Sequence, residues 1–389
     1  MKILFLSYQD IYGGGAFKAC SNLSKLLIKH NYIVDILVFH KNSNAKNIYK
    51  IDNRLIRLRV RINQLLSKII FLIFGVNKDV SSLNFIDTGL GKLLNNSKYD
   101  VINIHWSFSE LISIREISNI KKKVIFSLHD LWLCNGFEHI YSNKTHNKIG
   151  VIFKEIYDRY KMKKLSNIKL TVPSQWLKDH IHSYGYQNDI TVLPNYIDAS
   201  IHNLNNNSSN IFTQFDKKKI LFGFGANLAN KDPNKGFDLI DKIFKIFFKK
   251  NNPSNFIFIT FGFLNNKKYL DGKLNHKNFN FIEDQSHLNN LLSSLNFLIL
   301  PSYIETFSLL AGESILSGTP VVCFDSSGLR DTVNHKRTGY KAKRYDLNDF
   351  SNGMSWVLEA NINKDNIRNN YLSNFSEFNI INKFEESLR

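Results

Sequence analysis

Glu305 and Glu313 are the two acids whose spacing and surroundings in this sequence point most clearly to chemistry. The apolar run 297–300 predicts a short strand that ends at a proline, and the composition of 309–316 predicts a helix. Glu305 would therefore lie in a loop at the carboxyl end of a strand, where open α/β sheets bind ligands. If the helix begins near Thr306, Glu313 lies about two turns along it and both carboxylates can face one cleft.

The backbone between the two acids predicts an anion site. Thr306, Phe307 and Ser308 would offer N–H groups at a helix N-terminus, and such groups bind phosphate. Carboxylates suit sugar hydroxyls, so the segment as a whole favours a sugar nucleotide as its ligand. The alternative interpretation makes Glu305 a solvated loop acid and Glu313 a surface residue of the helix.

This segment resembles the retaining, nucleotide-sugar-dependent glycosyltransferases of family 4, which have the GT-B fold. The matching residues are Pro301-Ser302, Glu305, Phe307, Glu313, Gly318-Thr319-Pro320-Val321-Val322 and Gly328. The resemblance implies that Glu313 holds the ribose hydroxyls of the donor and that Glu305 lies against the transferred sugar. It also implies that the amides near Phe307 and Ser308 bind the diphosphate.

Length, composition and charge limit the classes of protein to which this chain can belong. A chain of 389 residues with 43% hydrophobic residues suits two globular α/β domains. Three widely spaced cysteines predict reduced thiols in the cytoplasm, and no apolar run is long enough to predict a transmembrane helix. The net charge of +18 needs an anionic partner, such as nucleic acid, an acidic membrane or a nucleotide diphosphate. No nucleic-acid-binding motif accompanies that charge, so we expect no nucleic-acid partner.

Strands alternate with helical segments along the chain, which predicts parallel, doubly wound sheets. We expect an N-terminal Rossmann-like, acceptor-binding domain over 1–201, a polar linker over 202–216 and a Rossmann-like, nucleotide-sugar-binding domain over 217–371. The tail 372–389 has the apolar spacing of an amphipathic helix. In the resembled GT-B fold, the two domains face a cleft and this last helix crosses back to the first domain.

A glycine run follows the first predicted strand and opens a helix. Glycines at this place let the backbone approach a phosphate, although the run Gly13-Gly14-Gly15 does not fit the dinucleotide pattern G-x-G-x-x-G. The resemblance implies that Gly14 and Gly15 close over the donor diphosphate. The alternative is a flexible turn.

His129 follows another predicted strand and is adjacent to Asp130, an arrangement in which an acid can orient a titratable histidine. The segment to Trp132 resembles a family 4 subgroup that assembles bacterial surface polysaccharides such as O-antigen, capsule and colanic acid. It departs from that subgroup at Asn135, where a threonine is usual. The resemblance implies that His129 contacts the transferred sugar and that Asp130 and Trp132 lie near the acceptor. The alternative is a capping His–Asp pair with a core tryptophan.

Lys235 precedes a glycine in the loop after the first strand of the second predicted domain. A lysine there can neutralise the β-phosphate of a departing diphosphate. Family members often carry an arginine where this chain has Ala226, and Lys231 is the candidate replacement. No Asp-x-Asp occurs, so the sequence predicts a site without metal or cofactor whose donor substrate is the nucleotide-diphosphate sugar.

The segment 54–73 predicts a basic amphipathic helix. Its basic residues on one side are Arg54, Arg57, Arg61 and Lys68, and its apolar residues on another are Leu55, Leu58, Ile62, Leu65, Ile69 and Ile73. Such a helix can lie on an anionic membrane. The alternative is an ordinary helix whose apolar side packs on its own sheet.

The resemblance implies a retaining hexosyltransferase that acts in the cytoplasm, peripheral to the inner face of the plasma membrane. It would transfer a sugar to a glycan or polyprenyl-diphosphate-linked acceptor during synthesis of a surface polysaccharide such as the O-antigen of lipopolysaccharide. Two alternatives remain, a sugar-nucleotide epimerase of the same fold and a non-catalytic glycan- or lipid-binding relative.

Overall fold

A computed structural model of the chain describes residues 1–11, 14–77, 80–106, 109–140, 147–202, 216, 218–226, 232–263 and 265–389. The chain divides into two compact units, of which the first is Met1–Tyr196 with Glu377–Arg389 and the second is Ile197–Ser376. The predicted linker 202–216 lies outside the described residues except at its two ends.

The first unit is built on a parallel sheet. Its strands are β1 (Lys2–Gln9), β2 (Ile33–His40), β3 (Ile48–Lys50), β4 (Val101–Trp106), β5 (Lys123–Ser127), β6 (Lys169–Val172) and β7 (Ile190–Val192). They are ordered β3-β2-β1-β4-β5-β6-β7, and every pairing is parallel. The chain order reverses between β1 and β4, so the carboxyl ends of these central strands are where such a sheet binds ligands.

Helices connect these strands, and their ends follow from local sequence. They are α1 (Gly14–Lys29), α2 (Arg54–Phe74), α3 (Leu90–Asn95), α4 (Ile114–Ser118), α5 (Lys148–Leu165) and α6 (Gln175–Ser183). The Asn53 side chain caps α2 by accepting a hydrogen bond from the Ile56 N–H at 3.0 Å. Gly75 ends the same helix with a φ of 70°, which glycine adopts without strain. Among the described residues, no helix is both long and apolar enough to cross a membrane.

The second unit repeats the architecture. Its strands are β8 (Ile220–Gly225), β9 (Phe256–Phe261), β10 (Asn275–Phe279), β11 (Phe297–Leu300), β12 (Val321–Phe324) and β13 (Gly339–Ala342), in the order β10-β9-β8-β11-β12-β13. All are paired in parallel. Aromatic rings fill one side of the sheet, where Phe222 stacks on Phe258 and Phe297 with centroids 5.0 and 5.2 Å apart. The order reverses between β8 and β11.

The helices of the second unit are α7 (Ile240–Phe247), α8 (Gln285–Ser294), α9 (Leu309–Leu316), α10 (Leu329–Thr332), α11 (Leu347–Glu359) and α12 (Lys364–Phe375). The last helix, α13 (Glu377–Ser387), belongs to the first unit, where Ile380, Ile381 and Phe384 join the core formed with α1 and β1. The predicted pair of Rossmann-like parallel sheets, with a final helix that returns to the first domain, is confirmed.

Candidate functional site

The carboxyl ends of β8 and β11 bring Lys235 and Glu305 together. Lys235 ends a short 3₁₀ turn after β8, and its Nζ lies 2.8 Å from Oε1 of Glu305 in the loop after β11. The nearer oxygen of Asp232 is 3.8 Å from the same Nζ. Burial opposes the charge of Lys235, but the carboxylates of Glu305 and Asp232 outweigh it and raise the lysine pKa above its ordinary value. Lys235 is therefore a cation held at the strand ends at neutral pH.

The loop that carries Lys235 is fixed against the loop after β11. The Tyr303 N–H donates a 2.8 Å hydrogen bond to the Asn234 carbonyl. Gly236 has a φ of 65°, and a Cβ at this position would lie 1.9 Å from the Pro301 carbonyl oxygen. Only glycine allows the two loops to approach so closely, and this approach places the Lys235 ammonium beside Glu305.

Gly236→Ala is expected to destabilise the protein by about 3 kcal/mol, because the new methyl group meets a carbonyl oxygen and the backbone is left-handed. Gly272 is the matched control, since it has a φ of 84° but no described atom within 4 Å of where its Cβ would be. Gly272→Ala should cost about 1–2 kcal/mol from backbone strain alone. Urea unfolding followed by circular dichroism measures both, and equal losses would contradict the packing argument.

Glu305 is anchored by its backbone as well as by its carboxylate. The Ser302 hydroxyl donates to Oε1 at 3.3 Å. The Glu305 N–H donates to the Ser327 hydroxyl at 3.0 Å, and its carbonyl accepts from the Gly328 N–H at 2.7 Å. The side chain, which is 15% exposed, is thus held by Lys235 and Ser302, while the backbone of Glu305 is fixed to the segment that follows β12.

The helix after Glu305 begins later than the sequence predicts. It starts at Leu309, with Ser308 as its N-cap residue at a φ of 72°, so the predicted start near Thr306 is wrong. The preceding backbone is held elsewhere, because the Phe307 carbonyl accepts a hydrogen bond from the Thr332 hydroxyl. The N–H groups of the first helical turn are therefore those from Leu309 onward, and Thr306 and Phe307 lie before the helix.

Glu313 is the fifth residue of α9, about one turn from its start rather than two. Its side chain is only 2% exposed, so the alternative of a surface helix residue is wrong. Tyr371 of α12 is buried nearby, and both its burial and the charge of Glu313 raise the pKa of its hydroxyl. Glu313 is thus a buried carboxylate on the helix that follows the Glu305 loop.

In the first unit, His129 follows β5 and pairs with His105 of the neighbouring strand β4. Nδ1 of His105 and Nε2 of His129 are 3.0 Å apart, and the two rings stack at 5.3 Å. Burial lowers the pKa of His129 to about 4, although Asp130 opposes the shift. Burial and the neighbouring His129 lower the pKa of His105 well below its ordinary value. Both rings are therefore neutral at pH 7 and act as hydrogen-bonding groups.

Asp130 and Trp132 form hydrogen bonds within the first unit. The Asp130 carboxylate bonds to His139 Nδ1 at 2.6 Å and caps the Trp132 N–H at 2.9 Å, so it does not orient His129. Trp132 is 1% exposed, and its indole N–H donates to the Ser82 carbonyl at 2.8 Å. The indole N–H of Trp132 and both carboxylate oxygens of Asp130 are thus engaged within the first unit, and the acceptor contacts of the two residues stay a prediction.

The histidine pair predicts a pH dependence of stability. Unfolded histidine titrates near pH 6.5, whereas His129 in the folded state takes up its proton only near 4. The unfolded state therefore binds more protons between these values, and stability is lost as the pH falls through this window. His129→Gln should reduce the loss between pH 6.5 and 4 by about 1–3 kcal/mol in urea unfolding. His182→Gln, at an exposed site, is the control, and the same slope for both variants would contradict the assignment.

The predicted glycine run lies at the start of α1. Gly14 and Gly15 are the first two residues of this helix, and no described atom would lie within 4 Å of a Cβ on either. Gly13 lies outside the described residues, as does Lys231, the candidate replacement for an arginine. A pocket of the same unit is lined by the two histidines, by hydroxyl residues and by the segment after β7: Ser127, Thr171, Pro194 and Asn195 among others.

Sequence reasoning missed His105 and Asp232. His105 lies at the end of β4, and the strand-end argument that selected His129 on β5 applies to it equally. Asp232 lies three residues before Lys235, which is the spacing at which charged side chains meet in a helical turn. In the part of the chain that the structure describes, no group of three or more His, Cys, Asp or Glu side chains is arranged to hold a metal ion.

Two family models match consecutive parts of the chain. Residues 13–201 match the model "Glycosyltransferase Family 4", and residues 205–373 match "Glycosyl transferases group 1". A curated relative, D-inositol 3-phosphate glycosyltransferase 2 of Catenulispora acidiphila, is 32% identical over 77 residues, or 20% of this chain and 18% of that protein. A second, from a Nocardioides species, is 30% identical over 83 residues, and this match covers 18% of that protein. An uncharacterized glycosyltransferase of Methanocaldococcus jannaschii is 21% identical over 366 residues, which cover 87% of this chain and 84% of that one.

Solved structures share the fold along the whole chain. Sucrose-phosphate synthase of Thermosynechococcus elongatus has a TM-score of 0.70 at 14% identity, with 100% of this chain and 98% of that one covered. TarM of S. aureus has a TM-score of 0.68 at 15% identity, covering 100% and 99%. HepE of Anabaena has a TM-score of 0.68 at 16% identity, also covering 100% and 99%. With two parallel sheets and consecutive matches to two glycosyltransferase family models, the chain has the GT-B fold and resembles glycosyltransferases along most of its length.

Proposed function

We propose that the protein is a retaining, metal-independent hexosyltransferase that uses a nucleotide-diphosphate sugar as donor. The observation that carries the proposal is the Lys235–Glu305 ion pair of 2.8 Å at the carboxyl ends of β8 and β11. The buried Glu313 lies on the helix that follows the same loop. A fixed cation beside the Glu305 carboxylate, with a second carboxylate on the following helix, suits a ligand with both phosphate charge and hydroxyls.

Each of these groups has a role in the proposed transfer. Lys235 and the first N–H groups of α9 neutralise the departing diphosphate, while Glu313 binds the ribose hydroxyls. The bond from the anomeric carbon to the phosphate oxygen breaks through an oxocarbenium-like transition state. The acceptor oxygen bonds to the same face of that carbon, and its proton passes to the departing β-phosphate. Glu305 positions the sugar and its developing positive charge rather than attacking it.

The roles proposed for residues of the first unit come from the family resemblance. Neutral His129, oriented by His105, serves as a hydrogen-bonding partner for a hydroxyl of the transferred sugar. Gly14 and Gly15, which have no described atom within 4 Å of a Cβ built on either, are proposed to approach the donor diphosphate. Asp130 and Trp132 have no role in this scheme because their polar atoms are used within the fold.

The solved neighbours support the donor class and suggest the acceptor class. HepE is known in complex with UDP-glucose, and TarM in complex with UDP, fondaparinux and α-GlcNAc-glycerol. A further neighbour is WaaB, a lipopolysaccharide outer core galactosyltransferase, with a TM-score of 0.61. In line with these neighbours we propose a glycan acceptor. Its carriage on polyprenyl diphosphate and a cytoplasmic role in surface-polysaccharide synthesis, such as that of O-antigen, are proposed from the family resemblance.

A panel of nucleotide sugars tests the proposal. The true donor should raise the unfolding temperature of the wild type, and Glu313→Gln should lose most of that rise because its ribose contact is weakened. Incubation of this donor with glycan acceptors should then release nucleoside diphosphate and give a product whose anomeric configuration, read by NMR, matches the donor. The absence of any stabilising nucleotide sugar would contradict the proposal. Conversion of the donor without an acceptor would instead identify an epimerase.

A further inference from the structure

The face of α2 that points away from the core is apolar. The residues of α2 that pack inward are Ile56, Val60, Asn63, Ser67 and Phe71. Eight large apolar residues are instead exposed: Leu55, Leu58, Ile62, Leu65, Leu66, Ile69, Leu72 and Ile73. At helical spacing these eight form one continuous stripe about 120° wide, which we call the outer stripe. Its exposure is large, reaching 82% at Leu72 and 62% at Leu65.

Two segments in contact with α2 also carry exposed apolar residues. Phe85 and Ile86 are both exposed, and the Ile86 carbonyl accepts a 2.9 Å hydrogen bond from the Asn63 side chain of α2. The start of α5 adjoins the end of α2, where the Asn147 side chain donates to the Ile73 carbonyl at 2.8 Å. The exposed apolar residues on α5 are Ile149, Val151, Ile152 and Ile156. Exposed apolar residues are therefore not confined to α2 but occur also on segments that contact it.

Basic residues border the outer stripe without interrupting it. The sequence of α2 contains no acid, and exposed Arg54, Arg61 and Lys68 lie along one side of the stripe, with Arg59 on the other. Because α5 carries an exposed acid, Glu155, and α2 carries none, the surface that is both apolar and free of acids is centred on α2.

Arg57 does not belong to this basic border. Its guanidinium donates to the Phe39 and Ile51 carbonyls at 2.7 and 3.3 Å and stacks over the Phe39 ring. The predicted basic side is therefore corrected to Arg54, Arg61 and Lys68, and a charge change at Arg57 would test the fold instead of the surface.

We infer that the outer stripe docks the protein on an anionic lipid bilayer, with α2 lying in the plane of the interface. Soluble proteins rarely expose a contiguous apolar surface of this extent unless it binds something. An apolar stripe flanked by arginine and lysine matches a bilayer, whose acyl chains accept the apolar residues while its anionic head groups meet the cations. A second copy of the chain fits less well, because apposed stripes would bring two basic borders together. This inference does not depend on the proposed glycosyl transfer.

Sedimentation with vesicles tests the apolar contribution. The wild type should bind phosphatidylcholine vesicles that contain phosphatidylglycerol, and Leu65→Gln, Ile69→Gln and Leu72→Gln together should lower the partition coefficient by at least about 100-fold. The matched control carries Phe281→Gln and Phe378→Gln, two apolar residues that are 57% and 71% exposed elsewhere on the protein. The control should bind like the wild type.

A second set of variants tests the charges. Arg54→Gln, Arg61→Gln and Lys68→Gln together should weaken binding to the anionic vesicles by about 100-fold, since each cation near such a surface contributes about fivefold. Binding to pure phosphatidylcholine should be weak and unchanged by these substitutions, and added salt should reproduce their effect. Unfolding temperatures and donor-induced stabilisation, measured without lipid, should remain those of the wild type.

Two results would overturn the inference. One is an apolar triple variant that partitions into anionic vesicles as the wild type does. The other is a lipid-free wild type that forms a dimer by light scattering while the apolar triple variant is monomeric, because the outer stripe would then be a contact between copies of the chain. In either case the donor-stabilisation measurement still decides the proposed function separately.

Discussion

Glu305→Gln should lower kcat by about 1000-fold while tightening the binding of the nucleoside diphosphate product by up to about tenfold. Turnover falls because the amide cannot offset the positive charge that develops on the sugar. Product binding tightens because Lys235, which lies 2.8 Å from Glu305 in the unliganded protein, no longer shares its charge with this carboxylate. The fold should persist, since the backbone bonds of Glu305 to Ser327 and Gly328 do not involve the side chain.

Steady-state kinetics and calorimetric titration with nucleoside diphosphate measure the two effects. Asp232→Asn is the matched control, because this carboxylate also faces Lys235 but at 3.8 Å. It should change kcat by less than about tenfold, given the weaker interaction at the longer distance. Near-normal turnover of Glu305→Gln, or weaker diphosphate binding by it, would remove Glu305 from the proposed role.

Many strands of both sheets were predictable because they are short, largely apolar runs, whereas β10, with its mostly polar sequence 275–279, was not. The run 297–300 is an example, since all its residues are buried in β11. The start of the following helix was not predictable, because it depends on contacts between residues distant in sequence. The Phe307 carbonyl is held by Thr332, and this delays the helix to Leu309. A local pattern contains no information about that bond.

The same limit explains the errors around His129. Adjacent Asp130 suggested a His–Asp pair, but the carboxylate bonds to His139, and His129 bonds to His105 on the next strand. Strand order makes β4 and β5 neighbours, so the proximity of the two histidines follows from the topology once the sheet is ordered. The bond between their rings follows only from side-chain packing.

The orientation of α2 was ambiguous for a different physical reason. Periodicity identifies an apolar face, and burial of that face is the ordinary expectation for a helix packed on a sheet. Here the inward face includes Asn63 and Ser67, and the Asn63 side chain satisfies a loop carbonyl. Because two of the five inward positions are polar, the more apolar face is the one left exposed, and sequence alone could not assign it.

Lys235→Met should weaken nucleoside diphosphate binding by about 10–100-fold and lower kcat by about 1000-fold. The cation that would meet the β-phosphate is removed, so nucleoside monophosphate, which lacks that phosphate, should bind as it does to the wild type. Lys235→Arg retains the charge and should recover part of the diphosphate affinity. Lys29→Met is the control and should match the wild type. Lys29 forms an exposed ion pair with Glu377, and both residues belong to the first unit.

The double variant Lys235→Met with Glu305→Gln gives the sharpest form of this prediction. The two side chains share one ion pair, so their effects should be strongly non-additive, and kcat of the double variant should resemble that of the worse single variant. The gain in diphosphate affinity caused by Glu305→Gln should also vanish, because the lysine that it releases is absent. Additive losses in kcat, or an affinity gain that survives without Lys235, would show that the two residues act independently and that this lysine does not meet the departing phosphate.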